Sequence, residues 1–229
     1  MTAHSSKAPH PLIRWIHPPR QGRSQQTLDR LLDAAEELLM TRGFDEITVP
    51  EIASRAESSV GAFYARLKDK DGLLHALHQR TCDDAYATME KGLDPAEWEG
   101  EGVAEIIEVF VASLVGLNEQ RPGLLLAVLD RARVDEEMRN RHEAVRRYIG
   151  HRLKNLLLAR REEIRHPDLG AACDFAVRQI YAVTRTEVYG LGGVFGGDPL
   201  PKDYVVQELT RSVLTYLGVS SDENPGLHD

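Results

Sequence analysis

ITVPEIASRAESSVGAFYARLKDKDGLL, residues Ile47 to Leu74, decides the reading of this chain, because it parses into two short helices around a tight turn and the start of a third. Thr48 and Glu51 stand at capping-box spacing, in which the hydroxyl accepts from an open amide of the first turn and the carboxylate returns to the cap's own amide. Val49, Ile52, Ala53 and Ala56 follow at i, i+3, i+4 and i+7, an apolar stripe of about two turns that must pack against another element. Ala53 is small enough for two helices to cross closely. After Glu57, Ser58 and Ser59 the pattern restarts with Val60, Phe63 and Leu67, so a second short helix turns its apolar edge back toward the first. Gly61, Ala62, Tyr64, Ala65 and Arg66 are left facing outward. This is the grammar of a helix-turn-helix.

Upstream, a helix is predicted from about Ser24 to Arg42, with Leu28, Leu31, Leu32, Ala35, Leu38 and Leu39 as its core stripe and Gly43 at the left-handed position that ends helices. Downstream, Asp69 is a good N-cap for a longer helix carrying Leu73, Leu74 and Leu77 toward Met89, and this fourth helix is expected to connect two domains. Residues 92–102, with Pro95 and three glycines, read as a loop. Further helices are indicated at about 103–119, 122–131, 135–165 and 168–189, and a last one at Tyr204 to Leu217 after a glycine-rich loop at 190–201. Strand signals are nearly absent. The expectation is an all-α chain: a flexible basic arm at 1–22, a three-helix domain with the helix-turn-helix at 23–70, a second helical domain at 71–217, and a tail at 218–229.

The chain has 229 residues, 42% of them apolar and 28% charged, the balance of a water-soluble globular protein. No apolar run reaches the roughly 18 to 20 residues that a membrane span needs, and no signal peptide is visible, so a cytoplasmic protein without a membrane partner is expected. Cys82 and Cys173 belong to no CxxC or His/Cys cluster, and buried thiols are the expectation. The net charge of −8 argues superficially against a polyanionic partner. Its distribution reverses that argument. Residues 1–80 carry 11 basic and 10 acidic side chains, with no acid among the first 28, whereas residues 81–229 carry 17 basic and 26 acidic.

Residues 28–74 resemble the N-terminal DNA-binding domain of the tetracycline-repressor (TetR) family, through LLDAAEELLMTRGF, TVPEIASRA and SSVGAFYARLKDKDGLL. The resemblance implies a homodimer whose recognition helices, here about Ser59 to Arg66, enter successive major grooves of a palindromic double-stranded operator. It implies that Thr48 meets a phosphate, that Ser59, Val60 and Gly61 lie nearest the groove, and that Tyr64 contacts the backbone. Lys70 matches the family's phosphate-binding lysine, and Arg66 and the arm residue Arg23 are further backbone or minor-groove contacts. Two positions depart from the family pattern. Glu57 stands where glycine is common, which costs on the order of 1 kcal/mol if the position is left-handed. Ala62 replaces a common threonine and removes a phosphate contact, and no arginine, asparagine or glutamine lies early in the recognition helix for bidentate base reading.

The stretch from Arg131 to Arg165 carries 11 basic and 6 acidic residues and reads as a solvated helix, with Asp135 and Arg139, Glu137 and Arg141, and Glu143 and Arg147 at i, i+4 spacing. Some of these arginines are candidates for an effector's phosphates or carboxylate. Glu163 and His166 form one Glu-x-x-His, whereas a di-iron bundle needs a second copy and two more inward carboxylates; His75 and His78 lack a third ligand. No metal or other cofactor is expected. By analogy with the family, Tyr86, Trp98, Phe110, Tyr148, Phe175 and Tyr181 are candidates to line a small-molecule effector cavity. Leu169, Ala172, Ala176, Ile180, Val183, Val205, Val206, Leu209, Val213 and Leu217 make the last two helices apolar over more than one stripe, which predicts a four-helix dimer interface. The expected function is therefore a non-enzymatic transcription regulator, a repressor released from DNA by a ligand. A ligand-independent or weakly specific DNA binder, and a helical enzyme or metal-binding bundle, are the alternatives.

Overall fold

A computed structural model describes residues 22–188 and 200–220, excepting the side chains of residues 22–24, 118–120, 187 and 188. The expected arm at 1–22, most of the glycine-rich loop and the tail beyond residue 220 thus lie outside the described residues, save Gly22 at the arm's end. Within them the elements are α1 (Gly22–Leu39), α2 (Val49–Arg55), α3 (Val60–Tyr64), α4 (Lys70–Gly92), α5 (Val103–Gln120), α6 (Pro122–Ala132), α7 (Glu136–Leu158), α8 (Leu169–Val188) and α9 (Lys202–Leu217). Short 3-10 turns at Phe44–Glu46, Pro95–Trp98 and Arg161–Glu163 complete the set, and no strand occurs among the described residues. The fold is all-α, as the periodicity predicts.

Two helix ends differ from the sequence expectation for identifiable reasons. Gly43 is extended at φ −67° rather than left-handed, because it opens the 3-10 turn and its amide donates to the Glu46 carboxylate at 3.2 Å. The helix expected to reach Arg165 stops at Leu158. The side chains beyond it are taken by distant partners: Arg160 donates to the carbonyls of Trp98 and Glu101, and Glu163 accepts from the Val103 amide at 2.8 Å, placing a carboxylate on the amino end of α5. Local pattern cannot show such a stop.

The chain divides into two compact units, residues 1–83 with 123–140, and residues 84–122 with 141–229. In the first, α1, α2, α3, the start of α4 and α6 share one core, with Leu31, Phe63, Leu67, Leu73 and Leu77 all at 0% exposure. Gly123 is required there, since a Cβ at that position would stand 2.0 Å from the Leu39 carbonyl oxygen. Arg131 pairs with Asp71, and Nε2 of the buried His75 lies 3.0 Å from Asp135, whose other oxygen caps α7 at the Met138 amide. Asp135 is thus an N-cap and ion-pair partner rather than the surface mate of Arg139 that spacing suggested.

In the second unit α9 packs along α5 and α8. Ala172, Ala176, Ile180, Val205, Leu209, Val213 and Leu217 are buried within this unit, so intrachain packing accounts for most of the apolar width of the last two helices. Phe175 and Tyr204 remain exposed. Cys82 and Cys173 are buried thiols outside any disulfide, and no helix among the described residues is long and apolar enough to cross a membrane.

Candidate nucleic-acid interface and ligand cavity

The capping box at the start of α2 is formed. The Glu51 carboxylate accepts from the Thr48 amide at 2.8 Å and from its hydroxyl at 2.7 Å, while Thr48 Oγ1 accepts from the Glu51 amide at 3.4 Å. Arg42 adds an ion pair at 3.0 Å, and this guanidinium, followed by the two Thr48 bonds, lowers the Glu51 pKa to about 2. The hydroxyl proton of Thr48 is therefore engaged within the cap.

The turn after α2 is a Schellman motif. The Glu57 amide donates to Ser54 at 3.1 Å and the Ser58 amide reaches back to Ala53 at 2.8 Å, with Glu57 at φ 49°, the left-handed conformation the sequence raised for it. It is the one non-glycine residue with positive φ among the described residues. Glu57 is exposed and directly precedes the recognition helix.

Ser59 caps α3 by accepting from the Ala62 amide at 3.0 Å. Phe63 anchors the helix at 0% exposure, and this single buried ring fixes which face is presented. Ser59, Val60, Gly61 and Tyr64 lie on the open side, with Val60 40% and Tyr64 51% exposed. Only Ser59 Oγ, at 3.8 Å, is near a Cβ built on Gly61, which leaves a smooth, low surface where a base edge must approach. The Tyr64 ring stands edge-on to Phe63 at 5.3 Å. Helix α3 is shorter than the expected Ser59 to Arg66: it ends at Tyr64, and half-buried Arg66 donates to the Ala62 carbonyl at 2.8 Å.

Asp69 caps α4 through the Gly72 amide at 2.7 Å. Lys70, the first residue of that helix, holds its ammonium 4.6 Å from the centroid of the buried Phe44 ring, an aromatic support that the sequence reading missed. Arg23 falls in the first turn of α1, and its side chain lies outside the described residues. Seven of the eight candidate DNA contacts are thus described, on α2, α3 and the start of α4. Chemically they offer hydroxyls, a cation, a phenol and a small apolar patch, a set suited to phosphates and thymine methyls.

In the second unit a cavity of about 370 Å³ lies between the end of α4 and α5, lined by Met89, Leu93, Trp98, Val109, Phe110 and Leu117 among others. Trp98 and Phe110 of the six candidate aromatics line it. The indole nitrogen of Trp98 donates to the Gly92 carbonyl at 2.8 Å, and Arg152 donates to the Glu90 and Leu93 carbonyls, so the rim is held by the end of α4. Tyr86 and Tyr148 meet edge to face at 5.0 Å, as do Phe110 and Tyr181 at 6.4 Å. Phe175 is 53% exposed and packs on Tyr216, away from the cavity lining. Arg146, one of the arginines that the sequence offers for an effector's carboxylate, lies over the Tyr181 ring from α7, a partner that the sequence reading did not show. Among the described residues no cluster of three or more metal-ligating side chains occurs.

Residues 31–77 match the family model described as bacterial regulatory proteins, tetR family. The HTH-type transcriptional regulator YvkB of Bacillus subtilis, itself uncharacterized, is 27% identical over 95 residues, 42% of this chain and 47% of the relative, so the match spans about half the relative's length. Among solved structures, a TetR-family transcriptional regulator from Mesorhizobium loti superposes at TM-score 0.67 with 16% identity, covering 86% of this chain and 98% of that one. A transcriptional regulator from Saccharomonospora viridis in complex with choline superposes at 0.63 with 15% identity, over 83% and 96%. At such identities these structures share the fold.

Proposed function

Through residues 31–77 the chain belongs to the tetR family of bacterial regulatory proteins, and from that membership we propose that it is a DNA-binding transcription regulator. In this reading it acts as a homodimeric repressor on a palindromic operator and is released by a small molecule. The observation that carries the DNA half is the open face of α3. Ser59, Val60, Gly61 and Tyr64 are exposed together around the buried anchor Phe63, with Lys70 following at a helix amino end. Lys70 fixes the register on phosphates, Thr48 meets one by turning its hydroxyl proton from the Glu51 carboxylate to a phosphate oxygen, Val60 and Gly61 meet base edges, and Tyr64 rests on the backbone. Arg66 and Arg23 add backbone or minor-groove contacts.

The dimer is assigned to the last two helices, where Phe175 and Tyr204 are large apolar side chains left open to solvent. The ligand is assigned to the second unit, whose cavity beside Trp98 and Phe110 is of ligand size, with Tyr86, Tyr148 and Tyr181 near by. A relative of the same fold in complex with choline supports a small-molecule effector as such. The domain plan of arm 1–22, reading head 23–70, body 71–217 and tail 218–229 is kept. Helix α4 carries the signal, since it begins at Lys70 in the reading head and ends at the cavity wall.

By linkage, operator must weaken effector binding by the factor with which effector weakens operator binding. Calorimetric titration of an effector into free protein and into the protein–operator complex tests this. Release requires weaker binding to the complex; equal affinities would leave a DNA binder without ligand control.

A further inference from the structure

We propose that the seam between α7 and α8 in the second unit is a receptor for the carboxylate of an organic anion, with Arg146 as the charge partner and the Tyr181 hydroxyl as a second donor. The two helices run side by side in opposite senses, and their rungs can be compared. At one rung Lys154 pairs with Asp174 at 2.7 Å. At the next, Gly150 admits Val177, whose Cγ1 would stand 3.0 Å from a Cβ at that glycine. At the third, Arg146 lies over the Tyr181 ring, its guanidinium carbon 4.7 Å from the centroid. One helical turn further come His142 on α7 and Arg185 on α8.

Arg146 makes no ion pair among the described residues, and both it and Arg185 act on His142, so basic groups gather at these rungs. The Tyr181 hydroxyl is buried with no hydrogen-bond partner among the described residues. A buried hydroxyl without a partner is destabilising, and a bound acceptor would remove that cost. A planar carboxylate satisfies both groups: the guanidinium fork bonds it twice, and the phenol donates a third hydrogen bond. The apolar remainder of the ligand is specified too. Phe110 meets the Tyr181 ring edge-on at 6.4 Å and also lines the 370 Å³ cavity beside Trp98 and Met89.

The binding claim stands on these contacts alone; its consequence for DNA rests on the ligand-released reading above. The probe is octanoate, with 1-octanol as its uncharged counterpart and inorganic phosphate as an anion without a tail, each titrated calorimetrically into the full-length chain without DNA. Octanoate is expected to bind at least tenfold more tightly than octanol or phosphate. Arg146→Gln should abolish that preference and Tyr181→Phe should weaken octanoate about tenfold, both leaving octanol unchanged. Tyr181→Phe removes only an unsatisfied hydroxyl, so its thermal midpoint should not fall. Failure of octanoate to bind, equal affinity for acid and alcohol, or an unchanged preference in Arg146→Gln would overturn the proposal. Octanoate binding that leaves operator affinity unaltered would support this site while refuting ligand release.

Discussion

The two units hold their charges in opposite ways. In the first, ionised side chains are paired with acids, Arg42 with Glu51 and Arg55 with Glu37 near the surface, and half-buried Arg80 with both Asp33 and Glu36. Each surface pair contributes little, and its partner is water-accessible. In the second, the basic groups His142, Arg146 and Arg185 gather at the α7–α8 seam. A net charge of −8 conveys neither arrangement. The comparison teaches that the group whose protonation folding opposes, His142, belongs to the second unit and not to the reading head.

The largest expected effect breaks this comparison by acid. Burial first, then Arg146 and Arg185, depresses the His142 pKa from 6.5 to about 4. The unfolded chain takes up this proton below pH 6.5 while the folded chain resists it until about pH 4, so the stabilisation is present above pH 6.5 and is lost as pH falls toward 4. Urea unfolding at pH 7 and pH 5 should differ by on the order of 2 kcal/mol from this residue, and His142→Gln should remove that difference. A wild-type pH slope that survives in the variant would place the acid sensitivity elsewhere. The first unit should behave otherwise. With its pKa at about 2, Glu51 keeps its capping contribution through pH 4.5 and loses it only as pH falls toward 2, so the Thr48 amide should remain protected from hydrogen exchange at pH 4.

Two turns sharpen the contrast next. Helices α2 and α9 end in the same double-bonded motif, the first through Glu57 at φ 49° and the second through Gly218 at φ 69°. Where the turn only closes a helix it is built from glycine; in the reading head it carries an acid. Gly218→Ala should cost about 1–2 kcal/mol in thermal or urea unfolding, because the new Cβ is left-handed and meets the Arg165 Cβ at 3.0 Å. Glu57→Gly should stabilise by somewhat less, about 0.5–1 kcal/mol, since relief of strain is offset by a freer unfolded chain. Glu57→Gln should leave stability nearly unchanged and strengthen DNA binding several-fold, by removing a negative charge beside the recognition helix. Equal DNA affinity in Glu57→Gln and wild type would mean that Glu57 costs only strain.

These particulars show what sequence could and could not tell. The Thr48–Glu51 box and the Asp69 cap were legible because each is a relation within four residues, and the family's glycine at position 57 raised the left-handed turn there, whereas the Ser59 cap went unread. Phe63 was legible because helical period places it inward. The support of Lys70 by Phe44, the capping of α5 by Glu163 sixty positions away, and the seating of Arg146 against Tyr181 depend on how distant helices meet, which periodicity does not encode. For the same reason the apolar width of α8 and α9 predicted a subunit interface where much of it serves the intrachain core.

The central claim is that Ser59 to Lys70 reads DNA. The direct measurement is fluorescence anisotropy with duplexes selected by the wild-type protein from a random-sequence pool, repeated for Tyr64→Ala and Lys70→Ala across a salt series. Selected duplexes are predicted to bind with a steep salt dependence. Each variant should lose roughly tenfold across sequences, and Lys70→Ala should reduce the log–log salt slope by about one per contacted phosphate. Recovery of no duplex, or affinities and slopes unchanged in both variants, would contradict the account.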